Sequence, residues 1–168
     1  MSSDQSMTFG PAMRPDIELR ILDPRLAAWG LPAFHSAAAA AIDLHACLDA
    51  PLALAPGAPA VLVPAGFAVH IGDPHLCAVI LPRSGLGHGG LVLGNGAGLI
   101  DADYQGEIKV SLVNRNTAGS TPIAIEPGAR IAQMLFLPVI RPRFVPVERF
   151  SASTARGEGG FGSTGTGR

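Results

Sequence analysis

Residues 95–107 read Asn-Gly-Ala-Gly-Leu-Ile-Asp-Ala-Asp-Tyr-Gln-Gly-Glu and place glycines, two carboxylates and an aromatic ring between two strand-like runs. Asp101 and Asp103 are two positions apart, so an extended backbone would direct both carboxylates to one face. Gly106 would then permit a turn that returns residues 108–113 as a partner strand, with Tyr104 at the hairpin end. The pattern predicts a polar pocket built at the end of a β-hairpin.

Short apolar runs recur on both sides of this stretch, and Pro or Gly separates nearly all of them. The alternating run at 17–22 indicates a leading strand. A chain with 21 Gly and 15 Pro at such spacing favours antiparallel strands over a parallel sheet, which would need crossover helices. Little helix is expected, although residues 35–41 favour helix by composition and residues 84–91 could form one turn. The other predicted strands are 42–48, 60–63, 67–71, 76–81, 108–113, 123–125, 131–137 and 144–147.

The composition limits the class of protein. A chain of 168 residues can bury roughly 70% of its unfolded surface around one core, so a single domain is expected. Charged residues make up 15% and hydrophobic residues 48%, which suggests that some apolar surface is buried between subunits. No apolar run reaches the length of about 18 residues that a membrane span needs. The net charge of -1, with scattered Arg, lacks the basic footprint of a nucleic-acid binder, so we expect no nucleic-acid and no membrane partner.

The two cysteines, Cys47 and Cys77, are too few for a disulfide framework and lack metal-ligand spacing. Both lie among apolar or small residues and are expected to pack as inert thiols. The sequence starts without a basic stretch and apolar core of the secretory type, so a cytoplasmic protein is expected. The five histidines form no zinc-ligand motif.

The last part of the chain differs in composition from the rest. Residues 151–168 contain six Gly and six Ser or Thr, with Phe161 as the only large apolar side chain. Such a segment is expected to be mobile unless something holds it. We therefore divide the chain into a domain at 1–150, of which 1–15 is expected to be flexible, and an arm at 151–168.

Five motifs occur in order along the chain: Ala-Ala-Ile-Asp-Leu at 40–44, Pro-Arg-Ser-Gly-Leu at 82–86, Gly-Leu-Ile-Asp-Ala-Asp-Tyr-Gln-Gly-Glu at 98–107, Pro-Gly-Ala-Arg-Ile-Ala-Gln at 127–133 and Arg-Gly-Glu-Gly-Gly-Phe-Gly-Ser-Thr-Gly at 156–165. Together they resemble the trimeric deoxyuridine triphosphatase (dUTPase) family. The resemblance implies an all-β fold, a jelly-roll or β-clip type antiparallel barrel with one short helix after Pro-Arg-Ser-Gly and a flexible C-terminal arm. It also implies a homotrimer with shared active sites.

The activity that this resemblance implies is Mg²⁺-dependent hydrolysis of dUTP at the α-β linkage to dUMP and pyrophosphate, which limits uracil in DNA and supplies dUMP for dTTP synthesis. Asp101 would be the catalytic carboxylate, and because an aspartate is a weak base at neutral pH, it would also position the attacking water. Tyr104 would lie against the deoxyribose and exclude a 2′-hydroxyl. Asn95 would read the uracil edge, in a pocket completed by Gly98 and Ile100.

The same resemblance assigns the phosphates to Arg83, Ser84 and Gly85 after one strand and to Gln133 on another. Asp43 would hold water molecules of a Mg²⁺ ion whose direct ligands are phosphate oxygens. Arg130 is expected to form a structural ion pair. In the arm, Phe161 would stack on uracil, while Arg156, Gly162, Ser163 and Thr164 would close over the nucleotide.

Less specific interpretations remain for several of these residues. Asp101 and Asp103 could cap a turn, Arg83 could be solvated, and Asp43 could be a hydrogen-bonded structural carboxylate. A calcium loop is disfavoured because Leu112 stands where a bidentate Glu belongs, and a phosphate loop because Ser163 replaces the required Lys. The rival activities are dCTP deamination, used by relatives of similar architecture, and a non-catalytic binding module.

Three departures from the family pattern are visible. Ala41 stands in place of a Gly, Ala97 stands in place of a Pro, and the stretch from Pro82 to Asp101 is one residue shorter than usual. The shortened stretch contains Gly-His-Gly-Gly at 87–90. It could therefore change the geometry of the short helix and of the phosphate-binding turn at the start of that helix. None of the three departures removes a group proposed for catalysis.

Overall fold

The computed structural model describes residues 15–159, and the regular secondary structure of these residues consists of ten strands and two very short helices. In chain order the elements are β1 (Glu18–Ile21), α1 (Leu26–Trp29), β2 (Ile42–His45), β3 (Leu52–Leu54), β4 (Val61–His70), β5 (Leu76–Leu81), α2 (Ser84–His88), β6 (Leu91–Leu93), β7 (Gly98–Ile100), β8 (Glu107–Asn114), β9 (Ile123–Ile125) and β10 (Arg130–Pro138).

The strands form two four-stranded sheets and a two-stranded ribbon. The first sheet has the order β1-β4-β8-β6, the second has the order β2-β10-β5-β7, and the ribbon pairs β3 with β9. Neighbouring strands are antiparallel in all three. The antiparallel strands expected from the spacing of the apolar runs, and the all-β, jelly-roll type of fold that the resemblance implies, are therefore confirmed.

Alternation along the strands places the core between the sheets. On β8, Ile108, Val110, Leu112 and Asn114 are buried and Lys109 is exposed, as expected for a strand with one face on a core. The buried amide of Asn114 donates a hydrogen bond to the backbone oxygen of Leu54, 2.9 Å away, and is thereby satisfied. Other large side chains that are fully buried are those of Leu26, Leu44, Phe67, Ile131 and Met134.

The runs predicted as separate strands at 60–63 and 67–71 belong to the single long strand β4. The register of β4 against β8 shifts between Pro64 and Ala68, which marks a β-bulge. Gly66 lies in the bulge with φ +76°, and its carbonyl accepts hydrogen bonds from the N–H groups of Leu22 and Asp23 at 2.8 and 2.9 Å. Pro and Gly therefore bend this strand without ending it.

The predicted hairpin between the strands that flank residues 101–106 is wrong. Strand β7 pairs with β5 in the second sheet, whereas β8 pairs with β4 and β6 in the first sheet. The segment from Asp101 to Gly106 therefore connects the two sheets. A sequence pattern of strand, glycine turn and strand cannot distinguish this arrangement from a hairpin, because the partner of each strand is distant in sequence.

Other differences concern short elements. The helix after Pro-Arg-Ser-Gly is present as α2, but α1 was not predicted, nor were the three-residue strands β3, β6 and β7. Helix α1 follows an ion pair in which Arg25 Nη2 lies 2.6 Å from Asp23 Oδ2, and this guanidinium lowers the pKa of the Asp23 carboxyl. The run predicted as a strand at 144–147 forms none and is exposed.

Candidate active site

One corner of the second sheet collects residues from three of the sequence motifs. On the central strand β10, Gln133 lies opposite Asp43 of β2 on one side and opposite Leu81 of β5 on the other. The Gln133 side chain donates from Nε2 to the backbone oxygen of Pro82 at 2.9 Å. The turn that follows β5, which begins with Pro82 and Arg83, is thereby held next to Asp43.

The carboxylate of Asp43 is the centre of this corner. Its Oδ1 lies 2.8 Å from Arg83 Nε, and its Oδ2 lies 3.1 Å from Arg130 Nη1 and 3.3 Å from His35 Nε2. The Asp43 side chain is 12% exposed, so a carboxylate withdrawn from water is compensated by charged donors. The structural ion pair expected for Arg130 has Asp43 as its partner.

The turn after β5 starts helix α2 and leaves its N-terminal side open. Arg83 has an extended backbone at the N-cap, and Ser84 and Gly85 are exposed. The first N–H groups of a helix have no intrahelical acceptor and are available to a ligand. A Cβ added to Gly85 would meet no atom within 4 Å, so the packing of this chain does not itself require glycine there.

The carboxylate-bearing segment follows β7. Gly98 lies opposite Ile80, and a Cβ at Gly98 would lie 3.1 Å from Ile80 Cβ, so this glycine allows the two strands to approach. Ile100 is half-buried against the core. Asp101 and Asp103 are both exposed in a turn, in which the Tyr104 N–H donates to the Asp101 carbonyl at 3.2 Å. The predicted extended backbone with both carboxylates on one face is therefore wrong, because the segment turns here.

The ring of Tyr104 lies over Gly106. The Tyr104 hydroxyl donates to the backbone oxygen of Glu107 at 3.0 Å, and a Cβ at Gly106 would lie 2.6 Å from Tyr104 Cζ. Gly106 does not have a positive φ. The sequence interpretation of Gly106 as a turn glycine is therefore corrected: the absence of its side chain makes room for the tyrosine ring.

Asp101 and Arg83 are at opposite ends of the same pair of strands. Ile100 is opposite Ala78 and the strands are antiparallel. Asp101 therefore lies beside the N-terminal end of β5, whereas Arg83 follows the C-terminal end of β5. At about 3.3 Å per residue the two positions are separated by roughly 15–20 Å along β5. The corner around Asp43 and the turn that carries Asp101 are thus separate surfaces of one chain.

The remaining candidate residues lie on the surface or outside the described range. Asn95 is exposed in the turn between β6 and β7, where its carbonyl accepts a hydrogen bond from the Ala97 N–H at 2.9 Å. Arg156 is exposed, and its Nε donates to the carbonyl of Gly159 at 2.8 Å. The positions of Phe161, Gly162, Ser163 and Thr164 lie outside the described residues.

The described residues contain no group of three or more His, Cys, Asp or Glu side chains arranged to hold a metal ion. Both cysteines are buried, and burial raises the pKa of the Cys47 thiol to about 11, so that it stays protonated at neutral pH.

His35 is a member of the corner that the sequence analysis did not identify as a site residue. It belongs to no motif, and nothing in its spacing from Asp43 indicates that their side chains would meet. Its imidazole reaches Asp43 from the loop before β2 and is 63% exposed. A single histidine in an alanine-rich stretch gives no signal of this contact, which depends on how the loop folds back over the sheet.

Comparisons with known proteins agree with this architecture. A family model described as dUTPase matches residues 27–165. The deoxyuridine 5′-triphosphate nucleotidohydrolase of Salmonella arizonae is 55% identical over 155 residues, covering 91% of this chain and 99% of the relative. A mutant dUTPase of Staphylococcus bacteriophage 80alpha, solved with dUpNHpp, has a TM-score of 0.77 at 23% identity and is covered completely by 91% of this chain.

A further solved structure, a mutant of the dUTPase from phage phi11 of S. aureus, is described as coordinating a structural Mg(II) ion. Its TM-score is 0.68 at 19% identity, with 82% of this chain and 99% of that chain covered. The likeness to the two phage structures establishes the fold.

Proposed function

The chain belongs to the dUTPase family, whose members hydrolyse dUTP to dUMP and pyrophosphate, and from this premise we propose how its own residues perform the reaction. The observation that carries the proposal is the convergence of Asp43, Arg83 and Gln133 from three separate motifs at one corner of the second sheet. That corner offers guanidinium and amide donors to a triphosphate next to the open turn of α2.

The phosphates of dUTP bind at this corner. Arg83 exchanges part of its contact with Asp43 for phosphate oxygens, and Ser84 and Gly85 add a hydroxyl and backbone N–H groups. The open space at Gly85 supports this placement, because a ligand can approach the backbone there. Gln133 fixes the Pro82 carbonyl and contributes a further donor from β10.

Asp101 orients the attacking water and accepts its proton. The exposed carboxylate lies in a turn whose backbone is held by two hydrogen bonds, one from Tyr104 N–H to the Asp101 carbonyl and one from Gly72 N–H to the Ala102 carbonyl. A fixed carboxylate can hold the attacking water in one geometry. This positioning contributes more to the reaction rate than the modest basicity of the carboxylate does. Hydrolysis breaks the α-β linkage and releases pyrophosphate.

The nucleoside binds along the segment that carries Asp101. The Tyr104 ring, held by Gly106 and by its hydrogen bond to Glu107, presents a fixed surface to the deoxyribose and leaves no space for a 2′-hydroxyl. Asn95, Gly98 and Ile100 form the wall toward the base. An amide that pairs with the uracil edge can reject a mispaired base by roughly 10⁴-fold, because the buried groups would be left unsatisfied.

Mg²⁺ is the cofactor, and the donor set fits an ion held chiefly by the substrate. Asp43 is the only carboxylate among the described residues at the corner, and its oxygens already face two guanidiniums. One such carboxylate cannot supply a full set of direct protein ligands to the ion, but it is suited to accept hydrogen bonds from metal-bound water. When bound, Mg²⁺ neutralises phosphate charge. Asp43 and Arg83 keep the phosphates and the ion together.

The active enzyme is a homotrimer with shared sites. The separation of Asp101 from Arg83 along β5 means that one chain alone does not bring the proposed water-binding carboxylate to the proposed phosphate turn. Residues 140–150 are exposed and carry apolar side chains that have no partner surface in the described chain, with Phe144 at 88% and Phe150 at 90% exposure. A neighbouring subunit that covers them would also supply the missing half of the site.

An apolar groove of about 860 Å³ is available to such a contact. It lies beside the edge strand β1 and is lined by Ile17, Leu19, Phe34 and Phe136 among others. None of the proposed catalytic or phosphate-binding residues lines it. Its apolar character therefore fits subunit assembly better than nucleotide chemistry.

The arm at 151–168 closes over the nucleotide, with Arg156 adding a cation for phosphate and Phe161 stacking on uracil.

No helix within residues 15–159 has the length and apolar character to cross a membrane. We place the reaction in the cytoplasm because its substrate belongs to the nucleotide pool from which DNA is made.

The experiment that tests this function is the release of pyrophosphate and ammonia from dUTP, dCTP, dTTP and UTP with Mg²⁺, before and after chelation. Pyrophosphate from dUTP alone, lost on chelation, is the expected result. Ammonia from dCTP would instead identify a deaminase, and tight dUTP binding without turnover would identify a binding module.

A further inference from the structure

The segment after Arg83, which forms α2 and the turn that follows it, contains four glycines within six residues, at 85, 87, 89 and 90. Glycine loses the most conformational freedom on folding, so a five-residue helix built from such a sequence has little intrinsic stability. The phosphate-binding turn nevertheless needs a fixed geometry. Some other part of the chain must hold it.

That part is the segment directly after β8. The backbone N–H of Arg115 donates to the Gly90 carbonyl at 2.9 Å, the Arg115 Nη2 donates to the Gly87 carbonyl at 2.9 Å, and the Asn116 Nδ2 donates to the Gly89 carbonyl at 3.1 Å. Two consecutive residues thus satisfy three carbonyls at the end of the turn.

The contacts continue to the proposed phosphate-binding residues. The Gly87 N–H donates to the Arg83 carbonyl at 2.8 Å, and the Gly89 N–H donates to the Gly85 carbonyl at 3.0 Å. One hydrogen-bonded path therefore runs from Arg115 through Gly87 to Arg83. A second path runs from Asn116 through Gly89 to Gly85.

Asn116 is itself held in place. The Asn116 N–H donates to Asn114 Oδ1 at 3.0 Å, and the buried Asn114 amide is anchored on the Leu54 carbonyl. Gly90 has φ +103°, and a Cβ there would lie 2.5 Å from Asn116 Cγ, so the glycine backbone and the asparagine side chain fit closely together. This pair of residues, Arg115 and Asn116, has a rigid base in the first sheet.

We propose that Arg115 and Asn116 are positioning residues that clamp the glycine-rich turn and so fix Arg83, Ser84 and Gly85 for triphosphate binding. The clamp compensates for the low intrinsic stability of this glycine-rich segment. It acts through the turn and touches no substrate. This inference rests on the phosphate-binding role proposed above for Arg83 and its neighbours.

The test compares Arg115→Ala, Asn116→Ala and the double variant with the matched control Thr117→Ala. Thr117 lies next to the clamp, but its hydroxyl contacts Ser120, 3.2 Å away, and not the turn. Affinity for dUpNHpp should fall about tenfold in the double variant, while affinity for dUMP, with one phosphate, changes less than about threefold. Thr117→Ala should match the wild-type protein in both assays.

A double-mutant cycle with Arg83→Ala separates positioning from a general structural role. If the clamp acts through the turn, its removal should cost less affinity once Arg83 is gone than in the wild-type protein, with the remaining loss acting through Ser84 and Gly85, so the two losses will not add. Arg115→Lys, which retains a charged donor, should recover part of the affinity. The loss should persist at about 0.5 M salt, whereas long-range attraction between Arg115 and the phosphates would be screened.

Unchanged dUpNHpp affinity in a folded double variant would overturn the clamp. Equal losses for both nucleotides with a lower melting temperature would also overturn it, because they would indicate general destabilisation. Binding of dUpNHpp is measured without turnover, so failure of the wild-type protein to hydrolyse dUTP would count against the proposed function and leave the clamp to be judged by the binding data.

Discussion

Asp101 and Asp103 are two exposed carboxylates of one turn, and only the former is assigned to catalysis. Asp101→Asn preserves the shape of the side chain but removes its negative charge and basicity. We expect kcat to fall at least ~10²-fold while nucleotide affinity is retained. Pyrophosphate release and dUpNHpp binding measure the two effects.

Asp103→Asn is the matched control for this prediction, because it makes the same chemical change two residues away. It should retain most of the activity. Near-normal turnover of Asp101→Asn, or equal losses in both variants, would refute the role assigned to Asp101.

Gly106 is predicted to control sugar selectivity through Tyr104. In Gly106→Ala the added methyl group would collide with the tyrosine ring and displace it from its position over the backbone. We expect kcat/KM for dUTP to fall about tenfold and the preference for dUTP over UTP to shrink by a similar factor. Competition assays with the two nucleotides provide the measurement.

Tyr104→Phe serves as the comparison, since it keeps the ring but loses the hydrogen bond to the Glu107 carbonyl. It should keep most of the selectivity. If Gly106→Ala discriminates between dUTP and UTP as well as the wild-type protein does, the ring is not the element that excludes the 2′-hydroxyl.

At the scale of single elements, the bulge of β4 shows why Pro and Gly did not end that strand. Gly66 and Gly57 have almost the same φ, at +76° and +75°. A Cβ at Gly66 would lie 2.9 Å from Asp23 Cβ and 3.2 Å from Leu26 Cδ1, whereas a Cβ at Gly57 would meet nothing within 4 Å. Substitutions at these two glycines therefore distinguish the cost of backbone strain, which both share, from the cost of steric overlap, which only Gly66 has.

Gly57→Ala should lower the free energy of unfolding by about 1–2 kcal/mol through strain alone. Gly66→Ala adds overlap in a packed region and should cost at least about 2 kcal/mol more. Denaturant unfolding at matched protein concentration gives both values. Equal costs would show that the bulge accommodates a side chain by local shifts.

At the scale of the whole molecule, the distance between Asp101 and Arg83 predicts complementation between inactive subunits. Asp101→Asn and Arg83→Ala should each be inactive as pure proteins. When they are co-expressed, a site that takes each residue from a different chain will receive both intact residues in about a quarter of cases. Recovery of about a quarter of wild-type activity is expected, and no recovery would place both residues of a site on one chain.

Truncation tests the assignment of the arm. Deleting residues 156–168 should leave an assembled protein with little activity, because the proposed role of the arm is to close the site. Deleting residues 140–168 should also disrupt assembly, since it removes the exposed apolar segment. Full activity of the shorter deletion would refute the closing role of the arm, and light scattering distinguishes the assembly states.

The sequence determined the fold class, because strand periodicity is local, and it indicated the candidate site residues, because the motifs retain their order and spacing along the chain. The long runs at 76–81, 108–113 and 131–137 match strands to within one residue at each end. The three-residue strands were missed because so few residues carry no measurable periodicity.

Tertiary structure alone decided which strands are partners and which side chains meet. It assigned β7 and β8 to different sheets, put Arg83, Arg130 and His35 on one carboxylate, and brought the segment directly after β8 to the glycine-rich turn. The contacts of Arg83 and Arg130 with Asp43, and of the Arg115 side chain with Gly87, join residues 28 to 87 positions apart. A sequence pattern reports only what neighbouring residues do, whereas such contacts depend on how whole sheets stack.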